Sequence, residues 1–144
     1  MLKTPLKILL LPLLIMLSTA CNSTTDETVC LAIFISIGIE VTDQSGNPVA
    51  LDELTVAKSG NGTVIDICET EPTFCEESDL PGNSEMGQYI IFHDGLRNEI
   101  SGRSLDITVS GKKGAAEFQR PYVIGDNGCN VELLSGDTQV ILEI

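Results

Sequence analysis

Between Leu31 and Asp43 the chain reads L-A-I-F-I-S-I-G-I-E-V-T-D, with Leu31, Ile33, Ile35, Ile37, Ile39 and Val41 on every second position. Ser36, Gly38, Glu40 and Thr42 fill most of the places between. A repeat of two marks a strand with one apolar face, because successive side chains of an extended backbone point to opposite sides, whereas a helix repeats at about 3.6. An apolar face of that length has to be covered. The stretch therefore predicts a β protein in which later segments pack against this first strand.

The rest of the chain is punctuated by turn chemistry at short intervals. Asp43-Gln44-Ser45-Gly46-Asn47-Pro48 ends the first strand, and Leu54 and Val56 alternate with Thr55 and Ala57 to give a second. Asn61-Gly62 predicts a tight hairpin, since both residues tolerate positive φ, and a third strand over Thr63 to Cys68 follows from it. Gln88 to His93 predicts another strand, ended by Asp94-Gly95, and Leu105, Ile107 and Val109 predict the next, closed by Gly111-Lys112-Lys113-Gly114. Ala115 to Ile124 reads as extended, with Pro121 inside it; a residue without an N–H belongs at an edge or a bulge. Asp126-Asn127-Gly128 turns the chain into Cys129 to Leu133, and Ser135-Gly136-Asp137 turns it into a last strand through Val140, Leu142 and Ile144. Together these segments predict an all-β fold, a seven- to eight-stranded antiparallel β-sandwich spanning 30–144.

The residues before that domain read differently. Lys3 and Lys7, an apolar run from Ile8 to Leu17 broken by Pro12, and the small residues Ser18, Thr19 and Ala20 form a secretory signal too short to cross a bilayer. Leu17-Ser18-Thr19-Ala20-Cys21 resembles a bacterial lipobox, its leucine one place further from the cysteine than is usual. The resemblance implies cleavage before Cys21, acylation of Cys21, and an exported protein anchored to the cell envelope, at the outer membrane, through that lipid. Asn22 to Val29 is small, polar and aperiodic, a tether able to reach about 25 to 30 Å.

Acidic residues number 21 against 8 basic, a net charge of −13. Such a surface repels phosphate backbones, so nucleic acid is excluded as an expected partner. Glu69, Glu71, Glu76, Glu77 and Asp79 crowd one segment among Pro72, Pro81 and Gly82, without the spacing of known calcium loops. A solvated acidic loop is the expectation there, with no metal and no cofactor. Four cysteines remain beyond Cys21: Cys30, Cys68, Cys75 and Cys129. An even count in an exported chain predicts disulfides, and the single histidine cannot complete the usual mixed zinc sites. Of the three connectivities that remain open, Cys68–Cys75 with Cys30–Cys129 is the one expected. On the chain-entropy model the short loop contributes roughly 2.5 kcal/mol and the long one roughly 4.7. Cys30 shares parity with Phe34, opposite the apolar face, and so is expected at the sandwich end or on its outer side.

Two motifs carry a family resemblance. Ile39 to Val49, I-E-V-T-D-Q-S-G-N-P-V, resembles the opening strand and turn of carboxypeptidase regulatory-like domains, and Tyr122 to Glu132, Y-V-I-G-D-N-G-C-N-V-E, is similar to the C-H-V ending of small bacterial lipoproteins of that type. Asn130 stands where those proteins often have histidine. The resemblance implies a transthyretin-like (prealbumin-like) Greek key and an accessory or interaction role.

No catalytic constellation is apparent. His93 is the single histidine, expected at the surface, and the nucleophile elbow G-x-S-x-G is absent. The chain also has no tryptophan, which argues against a sugar-cleaving cleft lined by rings. The expectation is a non-catalytic envelope module whose partner is a protein or a glycan, the alternative being a carbohydrate-binding or hydrolytic surface domain. Phe34, on the non-core parity of the first strand, and Tyr89 and Tyr122 are the candidate contact residues.

Overall fold

The computed structural model describes residues 30–75 and 79–144. The expected signal, the acylated Cys21, the tether and the acidic residues Glu76 and Glu77 lie outside them. Eight strands form two sheets: β1 (Ser36–Thr42), β3 (Gly82–Asn83), β4 (Gln88–His93) and β8 (Gln139–Ile141) in the order β3-β4-β1-β8, and β2 (Glu53–Lys58), β5 (Ser104–Lys113), β6 (Ala116–Asp126) and β7 (Val131–Ser135) in the order β2-β5-β6-β7. Every pairing is antiparallel except that of β1 with β8, which run parallel with Val41 beside Val140. Among the described residues no helix is long and apolar enough to cross a membrane.

The inner faces of both sheets share one core. Ile37, Ile39 and Val41 of β1, every second residue of the predicted strand, meet Ile107 and Val109 of β5, Tyr122 and Ile124 of β6, and Val140 of β8 in a single buried cluster. Each such side chain taken fully out of water contributes about 1.5 to 3 kcal/mol. The turn after β1 is held by one carboxylate: Asp43 Oδ1 accepts from the Ser45 and Asn47 amides at 2.8 and 2.9 Å, and Asn47 Nδ2 donates to Asp43 Oδ2 at 2.9 Å. These bonds hold the Asp43 carboxyl below the usual carboxylate range, led by the Asn47 side chain.

Three expectations change at the level of elements. The strand begins at Ser36, and Leu31 and Ile33 point to solvent, 72% and 56% exposed, because no neighbouring strand reaches past His93 to pair with them. Thr63 to Cys68 keeps its alternation, with Ile65 and Ile67 buried, yet makes only one isolated bridge, Ala57 to Val64. Asp66 accepts from the Cys68 amide at 2.9 Å and starts a four-residue helix, α1 (Ile67–Thr70), in place of a continuing strand. Ile144, expected to close the last strand, lies beyond β8 and is exposed. Pro121 stands where the sequence places it. It faces Thr108 of β5 on one side, while β7 pairs only with Val123 to Asp126, so its side of β6 is an edge.

Candidate functional site

Leu31 to Ile35 is not held by a strand ladder but by side chains from elsewhere. Cys30 is bonded to Cys129, 99 residues on, with the two Cα atoms 5.2 Å apart. Asn130 Nδ2 donates to the Ile33 carbonyl at 2.7 Å and to Asp94 Oδ2 at 2.6 Å. Asp94 Oδ2 accepts from the Ile35 amide, and its Oδ1 accepts from the Val131 amide, both at 2.7 Å. The Asp94 amide donates to the Ile35 carbonyl at 3.0 Å. A turn within the segment, from the Ile33 amide to the Leu31 carbonyl at 2.8 Å, completes its shape.

Burial alone raises the pKa of Asp94, but the donors at Val131, Ile35 and Asn130, with Arg97 close by, outweigh it and hold the carboxyl below its ordinary value. Arg97 in turn grips the same end of the molecule. Its guanidinium makes a forked bond to Asp126, with Nη2 at 2.8 Å from both carboxylate oxygens and Nε at 3.1 Å from Oδ2, and Nη1 donates to the Cys129 carbonyl at 2.9 Å. That pairing, followed by the Gly128 amide, keeps the Asp126 carboxyl low.

His93 ends β4 at this corner. It stands opposite Ser36, on the outward side of its sheet, and is nevertheless fully buried, contrary to the surface position expected of it. The segment that leaves the predicted third strand covers it. The Gly95 amide donates to His93 Nδ1 at 3.1 Å, so the ring proton sits on Nε2, which donates to the Ile67 carbonyl of α1 at 3.0 Å. Cys68 bonds to Cys75, and the loop they close delivers Phe74 edge-on to the imidazole, ring centroids 5.2 Å apart. Phe34 completes the group at 5.6 Å from His93 and 6.1 Å from Phe74. Both imidazole nitrogens are therefore occupied, Nε2 in joining α1 to β4 and Nδ1 in the turn at Gly95, and the ring serves packing at this end of the sandwich.

The three aromatic contact candidates separate. Phe34 is 51% exposed, its inner side on Phe74 and His93. Tyr89 and Tyr122 are each only 1% exposed and cannot form a contact surface, which corrects the expectation for both. Tyr89 Oη donates to the Val49 carbonyl at 2.9 Å and accepts from the Leu51 amide at 2.6 Å; Tyr122 Oη donates to the Asp137 carbonyl at 2.8 Å. A β-bulge explains Tyr89: the β1–β4 register shifts between Ile37 and Gly38, and the Q-Y-I-I-F-H run shows no alternation from which its inward face could be read.

The sequence reading gives Asp94 only a turn and Asn130 only the place of a histidine, and Arg97 nothing, because their partners lie far away in the chain. The H-D-G and D-N-G-C-N motifs signal turns but not that the two turns meet. Among the described residues no group of His, Cys, Asp and Glu is arranged to hold a metal ion. No protein-family model matches the chain, and neither curated proteins nor solved structures show significant similarity to it.

Proposed function

We propose that the protein is a non-catalytic module of the bacterial cell envelope, anchored at the outer membrane by a lipid on Cys21, which offers Leu31, Ile33 and Phe34 to an envelope protein. The observation that carries the reading is the fixation of this segment. A disulfide and hydrogen bonds from Asp94 and Asn130 hold three large apolar side chains 72%, 56% and 51% exposed. A loose segment with the same residues is free to fold them away; this one is pinned in the open, as a pre-organised contact surface is. In the proposed arrangement this segment follows directly on the tether. The net charge of −13 favours a protein partner there over an anionic lipid surface.

The strand order supports the transthyretin-like Greek key of carboxypeptidase regulatory-like domains: the first and last strands lie side by side in one sheet, and the chain crosses between sheets after β1, β2, β4 and β7. Domains of that kind serve as accessory modules, in keeping with the role proposed.

A photo-crosslinking amino acid placed at Phe34 in intact envelopes tests the reading, with Thr55 on the exposed face of β2 as the control position. A discrete adduct from position 34 that is lost when Ile33 is changed to Ser, and is absent from position 55, is expected. Equal crosslinking from both positions, or none from position 34, overturns it. The anchor is tested separately by labelling with an alkynyl fatty acid, expected in the wild type and lost in Cys21→Ser.

A further inference from the structure

The outer face of the β3-β4-β1-β8 sheet carries a row of polar residues, one per strand, set by the register itself. Asn83 of β3 is opposite Gln88 of β4, Gln88 is opposite Glu40 of β1, and Glu40 is beside Gln139 of β8. Residues directly opposite one another point to the same face, and all four are exposed. With strands about 4.8 Å apart the row is about 14 Å long. Behind it the next pair across β1 and β4 is Gly38 and Ile90, where the missing side chain of Gly38 opens a hollow of about 390 Å³ floored by Ile90.

The geometry points to a binding site for a neutral, hydroxyl-rich chain, an oligosaccharide, laid across the four strands. Hydroxyl groups both donate and accept, and the row offers both. Among the described residues the side chains of Gln88, Gln139 and Glu40 make no hydrogen bond or ion pair, so two amides and a carboxylate are available side by side. Asn83 Oδ1 is taken by the Met86 amide at 3.1 Å, which leaves its NH₂ to donate. The lining contains one carboxylate and no cation, in a protein of charge −13, and so disfavours phosphate, sulfate or uronate ligands. Ile90 supplies an apolar floor for the C–H face of a sugar ring. Tyr89 also lines the hollow, but its ring is buried in the core, so affinity rests on hydrogen bonds, and Kd values of about 0.1 to 1 mM are expected.

This site is separate from the Leu31–Phe34 surface, and the two proposals stand or fall independently. A Cβ at Gly38 would lie 3.1 Å from the Tyr89 carbonyl oxygen, so substitution there disturbs the sheet and is not a clean probe. Gln88→Ala and Gln139→Ala, both at exposed positions, leave the backbone alone. The full chain, uniformly labelled with ¹⁵N, is titrated with maltohexaose, cellohexaose and chitohexaose, and with a sulfated hexasaccharide as the anionic control. The expected result is saturable shifting of the β1, β4 and β8 amides around Glu40, Gln88 and Gln139 by at least one neutral sugar. Its affinity should fall about tenfold or more in the double variant and stay unchanged in Thr55→Ala, on the other sheet. Absence of shifts from all three neutral sugars at about 10 mM, shifts that survive the double variant, or a preference for the sulfated sugar each overturns the proposal.

Discussion

Asp94 accepts from the Val131 and Ile35 amides and from the Asn130 side chain, so one carboxylate joins the segment before β1, the end of β4 and the start of β7. Its folded pKa is depressed: burial raises it, and the three donors more than reverse that. A carboxyl of this kind stabilises the fold fully above its unfolded value of about 4 and loses that contribution as pH falls through the lower, folded value. Asp94→Asn replaces an acceptor by a group that also carries donors, facing donors. It is expected to lower stability by about 2 to 4 kcal/mol at neutral pH. Urea unfolding should show the gap between wild type and variant narrowing as pH falls from the unfolded value of about 4 through the lower folded one, beyond which both carry a neutral side chain. A gap that does not change with pH means that the charge contributes nothing. Little of this clamp was legible in the sequence. Disulfides followed from the even cysteine count and the expected export, and the pairing chosen among three is the one found, but Asp94 and Asn130 act over 36 residues of separation and leave no local pattern.

At the scale of elements the alternation of β1 was legible for Ile37, Ile39 and Val41, while Leu31 and Ile33 share the pattern without the burial. Periodicity states which residues share a face; whether a neighbour covers that face is decided by the length of β4. The same limit applies to Thr63 to Cys68, where the Asp66 cap and the Cys68–Cys75 loop bend an alternating sequence into α1 over His93. Turns were read more reliably, since glycine leaves its own signal. Gly136, between β7 and β8, has φ +128°, and a Cβ built on it collides with Tyr122 Cδ1. Gly136→Ala combines backbone strain with displacement of a buried ring whose hydroxyl holds the Asp137 carbonyl, and an expected loss of about 2 to 4 kcal/mol follows. Thermal unfolding checks it, with Gly114→Ala as the reference: that glycine also has positive φ, at +58°, but meets nothing within 4 Å. Equal losses in the two variants mean that the ring contact adds nothing.

For the molecule as a whole, two sheets, one core and the two disulfides were within reach of sequence reasoning; which tyrosines point inward was not. Burial first of all pushes the Tyr89 phenol up, against the pull of the Leu51 amide and Lys113, and burial with Asp137 nearby does the same for Tyr122. A raised folded pKa means stability that is complete below the unfolded value of about 10 and is lost as pH climbs through the folded value. The chain has 2 tyrosines and no tryptophan, so phenolate absorbance reports these two alone. Both are expected to ionise late, together with the loss of the β-sheet circular dichroism. A tyrosine that titrates freely near pH 10 with the spectrum unchanged is a surface residue, and the core described above is then wrong. The parallel pairing of Val41 with Val140 has a consequence for the growing chain. One flank of β1 waits, without a neighbour, until residues 139–141 have been made. This sheet is therefore incomplete until residue 141 has been made, and a nascent chain stopped at Ser135 leaves that flank of β1, with its unpaired amides and carbonyls, open to whatever chaperone or pore receives it.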